Sequence, residues 1–344
     1  MAQTTDPPFR QAALKMPCSQ LVLDRIDPLV EPGKTGSSHL HQIVGGNGFN
    51  ATMDPANHPA DMSSCTTCLI TEDFSNYWTG VMYFQARNGS YMRVKQLGVL
   101  YHEEANGGVT IYYSPQDRHP EIRYRAFMPG FRMQVGDPDS RAPYQTLPPG
   151  ETPSLFDGPT YTCMEDEYTR FYNLTYDFPK GPCPGGIMTT TPFPPCWDGK
   201  NLDSPDHKSH VAFPPGGARA YINGAPCPAS HPVYIPMITL EIRWDTRPFN
   251  DPELWPTDPG RQPFVWSFGD RVGHGHHADY VFGWRGDSLQ KAFDRGNCRD
   301  QICYLPVQNY SAMNGCTKPP AVGEGIDGWL DNMPGGVVAR DGED

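Results

Sequence analysis

The residues best suited to chemistry in this chain are histidines, and they come in tight groups. His274-Gly275-His276-His277-Ala278-Asp279 places three of the eleven histidines and a carboxylate within six residues. Imidazole is the side chain best matched to proton transfer near neutral pH and is the commonest metal ligand. Two further groups lie far away in sequence: His39-Leu40-His41 and His207-Lys208-Ser209-His210. If residues 38–43 are extended, His39 and His41 share a face, because side chains on a strand repeat every two residues. The same spacing puts His277 and Asp279 on one side of a strand. His39, His41, His210, His277 and Asp279 are therefore expected to line a single cleft.

Two kinds of catalysis fit such a cleft. Metal-free acid/base cleavage of a polysaccharide needs a base, an acid and a cation for the developing charge. His210 or His277 would serve as base and acid, Asp279 would orient an imidazole, and Lys34 or Lys200 would stabilise an anion. A glycosidase would instead use two carboxylates, with Asp198, Asp203, Asp206 and Asp279 as the candidates. The loop CWDGKNLDSPDHKSH (196–210) supplies Lys200 and Asp206 to the catalytic set, and Asn201 and Trp197 for substrate, with Lys34 and Trp284 as further substrate contacts. The other kind of catalysis uses one transition-metal ion (zinc, copper or iron) held by His39, His41 and His277 with Asp279 as a carboxylate ligand, although no spacing reproduces HExxH. A non-catalytic glycan-binding module is the third reading. For it, Tyr77, Trp78, Tyr83, Tyr112 and Tyr113 offer a stacking platform, or else simple core packing.

What positions these groups is read as mainly β. Short aromatic and β-branched runs separated by turn signals recur at 18–30, 76–85, 91–101, 108–113, 131–135, 231–245, 264–268 and 278–284. A helix is expected at 287–295, and a short one is conceivable at 163–173. Residues 141–217, rich in Pro, Gly and Thr, read as long ordered loops tied by disulfides. The expectation is one large β-sandwich or jelly-roll-like domain over 18–316. Residues 1–17 form an N-terminal extension, and 317–344 a tail packed on the domain or extending from it.

Composition bounds the setting. Ten cysteines allow up to five disulfides, and Asn50, Asn88, Asn173 and Asn309 head N-x-S/T sequons. Both point to a secreted, extracellular protein. Cys65-Thr66-Thr67-Cys68 stands without a second CxxC and reads as structural. The first residues lack a basic start and an apolar core, as in a mature protein with an added Met. No run reaches the length of a membrane span. A net charge of −12 argues against nucleic acid as a partner. A monomer acting on polysaccharide is expected.

Six ordered blocks carry a resemblance. They are CSQLVLDRIDPLVEPGKTGSSHLHQIVGGNGFN, CTTCLITEDFSNYWTGVMYF, FRMQVGDP, CWDGKNLDSPDHKSHVAF, CPASHPVYIPMITLEIRW and HGHHADYVFGW. Over residues 18–316 the chain resembles the fungal secreted Domain of Unknown Function nineteen-ninety-six family. In that family the domain stands alone or beside WSC or cellulose-binding modules. The resemblance implies secretion and work on cell walls or plant polysaccharide.

Overall fold

A computed structural model describes residues 13–98, 102–116, 122–143, 153–155, 157–166, 168–170, 173–258, 260–295 and 302–341. The alternating apolar residues at the start form β1 (Leu14–Cys18) and β2 (Gln20–Asp24), and the GSSHLHQIVGG stretch ends in β3 (His41–Gly45). Next come β4 (Asn76–Gly80), β5 (Met82–Gln85), β6 (Tyr91–Arg93), β7 (Val109–Ser114) and β8 (Arg132–Val135). The middle of the chain adds β9 (Thr160–Met164), β10 (Leu174–Thr175), β11 (Gly186–Pro192), β12 (Cys196–Trp197) and β13 (Val211–Ala212). The last third supplies β14 (Val233–Tyr234), β15 (Met237–Trp244), β16 (Phe264–Trp266) and β17 (Ala278–Val281). Ser288–Asp294 is helical, as expected.

The fold is mainly β, in antiparallel sheets. A six-stranded sheet runs β1-β7-β15-β11-β9-β10 and a five-stranded sheet runs β2-β3-β4-β17-β8. Two three-stranded sheets, β13-β12-β14 and β16-β5-β6, flank them. Ile111 and Tyr113 on β7 and Ile238, Leu240 and Ile242 on β15 share one apolar core with Val44, Tyr77, Met133 and Tyr280 of the five-stranded sheet. At its centre the Tyr113 and Tyr280 hydroxyls lie 3.2 Å apart, and the Trp284 indole N–H donates to Tyr113 at 2.9 Å.

Two expectations are corrected. Residues 141–217 are not a loop region: they contain β9 and β11, and β11 sits between β15 and β9 in the larger sheet. Thr189-Thr190-Thr191 fits a buried strand because β-branched residues suit the pleat; the surrounding Pro and Gly belong to the turns at its ends. The helix conceived at 163–173 is also not found among the described residues, and Cys163 is instead in β9, paired with Ile187.

Four disulfides join Cys18–Cys68, Cys65–Cys316, Cys163–Cys183 and Cys196–Cys227. The two CxxC cysteines thus go to different partners, and the motif is structural. Cys303 is disulfide-bonded too, while Cys298 lies outside the described residues. Among the described residues, no helix is long and apolar enough to cross a membrane.

Candidate metal centre

The outer face of the five-stranded sheet carries the site. Strand alternation decides which side chains reach it. On β3, Gln42 and Val44 face the main core, while Ile43 joins Trp78 and Val281 in a second apolar cluster on the other side. His41 is two residues before Ile43 and emerges on that outer side. Its partner on β4 is Gly80. Ala278 pairs with Thr79, so His277, one residue earlier, falls beside Gly80. His39 enters from the loop before β3.

The three imidazoles converge. One ring nitrogen from each of His39, His41 and His277 lies within 4.8 Å of the others, and all three side chains are buried. His39 Nε2 and His277 Nε2 are 3.2 Å apart. The Nδ1 atoms of these two rings are held from behind, by Ser38 Oγ at 3.0 Å and by the Gly275 carbonyl at 3.2 Å. Such outer contacts fix ring orientation and tautomer in metal sites. His41 differs: neither of its ring nitrogens meets a partner within hydrogen-bond distance among the described residues, although the Ile26 backbone faces the ring. A buried polar group of this kind normally has one.

Burial sets the protonation state. It pushes His41 and His277 down to about 4 and His39 well below the usual imidazole range; the neighbouring rings add to the effect at His39 and His277, while the Ile26 backbone and Glu31 oppose it at His41. Asp27 Oδ2 stands 3.8 Å from His41 Nε2. The contact is not an ion pair, because burial moves Asp27 up as it moves His41 down. The imidazoles are neutral at pH 7, the form that binds metal. Neutral, buried imidazoles cannot supply a proton at that pH, which counts against His277 as a general acid.

Asp279 is one row further along β17. It shares the face of His277, but its Oδ1 accepts from Gln134 Nε2 at 2.9 Å and its Oδ2 is unpartnered. Burial raises its carboxyl well above the usual range. Phe268 closes the site, its ring centroid 5.2 Å from that of His39 and 4.9 Å from that of His277. The room for it comes from two glycines: a Cβ on Gly80 or Gly275 would approach the Phe268 ring to 2.7 or 2.8 Å.

The remaining predicted residues lie elsewhere. His210 sits at the opposite end of β8, its Nε2 2.9 Å from the Arg132 carbonyl and its Nδ1 2.8 Å from Ser204 Oγ. Asp206 accepts from Ser204, Lys208 and Ser209 and braces its own loop. Asn201 is tied to Asp198, and Lys200 is exposed beside it. Lys34 pairs with Glu31 at the surface. The Trp197 and Trp284 side chains are buried, their indole N–H groups donating to the Asn201 carbonyl and to Tyr113. Tyr77, Trp78, Tyr83 and Tyr113 are also buried. No sugar could stack on these enclosed rings, so four of the five platform aromatics are core packing; Tyr112 is half-buried and accepts from Arg170. Sequence reasoning missed Asp27, Phe268, Gly80 and Gln134. Only the Gly80-Val81 break between two aromatic strands hinted at any of them.

The family model described as "Domain of unknown function (DUF1996)" matches residues 27–284. The chain belongs to this family. The DUF1996 match opens on Asp27, closes on Trp284 and spans all three converging histidines. No curated protein and no solved structure matches the chain.

Proposed function

We propose that this DUF1996 chain is a secreted, metal-dependent enzyme whose ion is held by His39, His41 and His277. One observation carries the reading: His41 is buried against two other imidazoles, and neither ring nitrogen meets a partner within hydrogen-bond distance among the described residues. A hydrogen-bonded histidine pair would account for His39 and His277 alone. It leaves His41 unexplained, whereas an ion supplies the missing partner. Three neutral imidazoles suit zinc or copper. Three protein ligands with a further position open is the pattern of catalytic rather than structural zinc sites. An ion so held would activate a bound water or polarise a substrate oxygen. Asp27, beside His41, is the nearest group to assist.

The substrate side rests on resemblance. The family's association with wall-binding modules supports a fungal enzyme acting on cell-wall or plant polysaccharide, as a monomer built on one domain over residues 18–316. The disulfides and the sequons, whose asparagines are all exposed, support secretion and glycosylation. The metal-free acid/base reading is weaker, because its proposed acid is neutral at pH 7 and its second histidine, His210, lies apart.

Elemental analysis of protein purified without chelator tests the proposal. One equivalent of a transition metal is expected in the wild type and none in the His41→Ala variant. Metal-free wild type that also fails to take up zinc or copper on titration would overturn it.

A further inference from the structure

The sequon asparagine Asn88 borders a groove. The groove, about 780 Å³, is lined by Arg87, Asn88, Ser90, Glu253, Trp329 and Asp331 among others. Its distinctive member is Trp329, whose side chain is 47 % exposed although every other tryptophan in the chain is buried. An indole left in water at this cost normally meets something with an apolar face and a polar edge.

The two sides of the groove are held together rigidly. Asn88 is at the tip of the β5–β6 hairpin, where Gly89 N donates to the Ala86 carbonyl at 2.8 Å. The segment carrying Trp329 is fastened to the base of that hairpin by a reciprocal pair, Tyr91 N to Leu330 O at 2.7 Å and Leu330 N to Tyr91 O at 2.8 Å. Phe249 meets the Trp329 ring edge-on, with centroids 6.5 Å apart. The indole is therefore positioned from below, and its outer surface is the part left uncovered.

Asn88 is also poised for modification. Its Oδ1 accepts from Ser90 N at 3.1 Å and from the sequon hydroxyl, Ser90 Oγ, at 2.7 Å. Its Nδ2 makes no hydrogen bond among the described residues, and a side chain added at Gly89 would meet nothing within 4 Å. The sequon thus engages its own hydroxyl and leaves the amide nitrogen toward open space beside the groove.

We infer that Asn88 carries an N-linked glycan whose first sugars lie in this groove on the face of Trp329. In the modification, Asn88 Nδ2 displaces the diphosphate of an activated oligosaccharide supplied by the secretory pathway. The sugar C1–O bond breaks, the C1–Nδ2 bond forms, and the amide loses one proton. The C–H face of the sugar then covers the indole, while Glu253 and Asp331 accept from its hydroxyls. The glycan serves as a structural cover for an aromatic that would otherwise be an exposed apolar patch. The inference rests on the secretory reading of the sequons and is independent of the metal centre.

The test uses the full chain secreted from a eukaryotic host and mapped by glycopeptide mass spectrometry. Asn88 is expected to be occupied. In the native protein, a peptide N-glycosidase should release its glycan several-fold more slowly than those at the other occupied sequons. Trp329→Ala should keep the occupancy and remove the difference in rate. An unmodified Asn88 beside modified Asn50, Asn173 or Asn309 would overturn this inference and leave the secretory reading standing. No modification at any of the four would overturn both. An occupied Asn88 whose glycan is released at the same rate with or without Trp329 would overturn the packing of sugar on indole.

Discussion

The Nε2 atoms of His39 and His277 stand 3.2 Å apart although 238 positions separate the two residues. Two imidazole nitrogens bound tetrahedrally to one ion at 2.0–2.1 Å would be separated by roughly 3.3 Å. The spacing matches shared ligation, with His41 as the third donor. Asp27 and Phe268 close the surroundings, one polar and one apolar.

Occupancy of this site should stabilise the fold. An ion that binds the native state and not the unfolded chain adds RT ln(1 + [L]/Kd), about 2.7 kcal/mol at a hundredfold excess over Kd. Stripping with a chelator is expected to lower the melting temperature, and stoichiometric zinc or copper should restore it. In His41→Ala protein, chelator and metal should leave the melting temperature unchanged. A wild type whose melting ignores both would remove the centre.

The three converging histidines were legible as residue types because histidines at two-residue spacing on extended chain announce a shared face. Their convergence was not, since it depends on β3 and β17 flanking β4, a pairing no local pattern encodes. His210 shows the limit. Its loop is as rich in polar residues as the segments that carry the converging histidines, yet its imidazole is used up on Arg132 and Ser204. Tyr77, Tyr113 and Trp284 show another. An aromatic on a strand reads alike whether it meets sugar or core, and only the facing sheet decides. β11 was hidden because Thr-rich sequence between prolines has the composition of a loop.

Gly80 tests how closely Phe268 is packed over the histidines. Its backbone is ordinary for a strand, so Gly80→Ala should leave the sheet intact. The added Cβ would stand 2.7 Å from the Phe268 ring, which cannot retreat freely because Trp266 stacks behind it at 6.0 Å. Overpacking of this kind costs about 1–3 kcal/mol. Metal affinity should fall while the far-UV spectrum is unchanged. Phe268→Ala in the same background should recover affinity. Unaltered binding in Gly80→Ala would show that the ring does not shape the site.

Asp73 should give the fold a measurable pH dependence. It lies buried between the sheets, its Oδ2 accepting from Tyr77 OH at 2.7 Å and its Oδ1 from Ser75 N at 2.9 Å. Burial outweighs these bonds and pushes its carboxyl up to about 6. With the folded pKa above the unfolded one, the folded protein holds the proton more tightly. The contribution is fully present below pH 4 and is lost as pH rises through about 6. Two pKa units correspond to about 3 kcal/mol. Asp73→Asn keeps an acceptor for Tyr77 and does not titrate. The stability difference between variant and wild type, from denaturant melts, should therefore shift in favour of the variant between pH 4 and pH 7. A difference that stays constant with pH would contradict the assignment.

His276 and His277 are adjacent, and the sheet sends them to opposite sides. His276 turns toward the main core, where its Nε2 lies 2.6 Å from Thr191 Oγ1 and its ring stacks on Trp266 with centroids 4.6 Å apart. His277 turns outward to His39. Burial holds both neutral at pH 7, at about 3 and about 4, so charge does not distinguish them; their neighbours do. His276→Ala empties a packed position and leaves the Thr191 hydroxyl without its partner. Large-to-small changes of this kind cost about 2–4 kcal/mol. It should lower the melting temperature by several degrees in metal-free protein and leave the metal stoichiometry at one. His277→Ala removes a buried ring tied to the Gly275 carbonyl and packed against His39 and Phe268, so metal-free melting should fall too, but here metal binding is lost. Loss of an imidazole from a metal centre abolishes binding, whereas loss of one polar contact in a sugar groove does not. Parallel melts and metal titrations of the two variants decide the matter. If His277→Ala destabilises the metal-free protein as His276→Ala does but still binds one equivalent of metal, the outer histidines are packing residues and the ion has its ligands elsewhere.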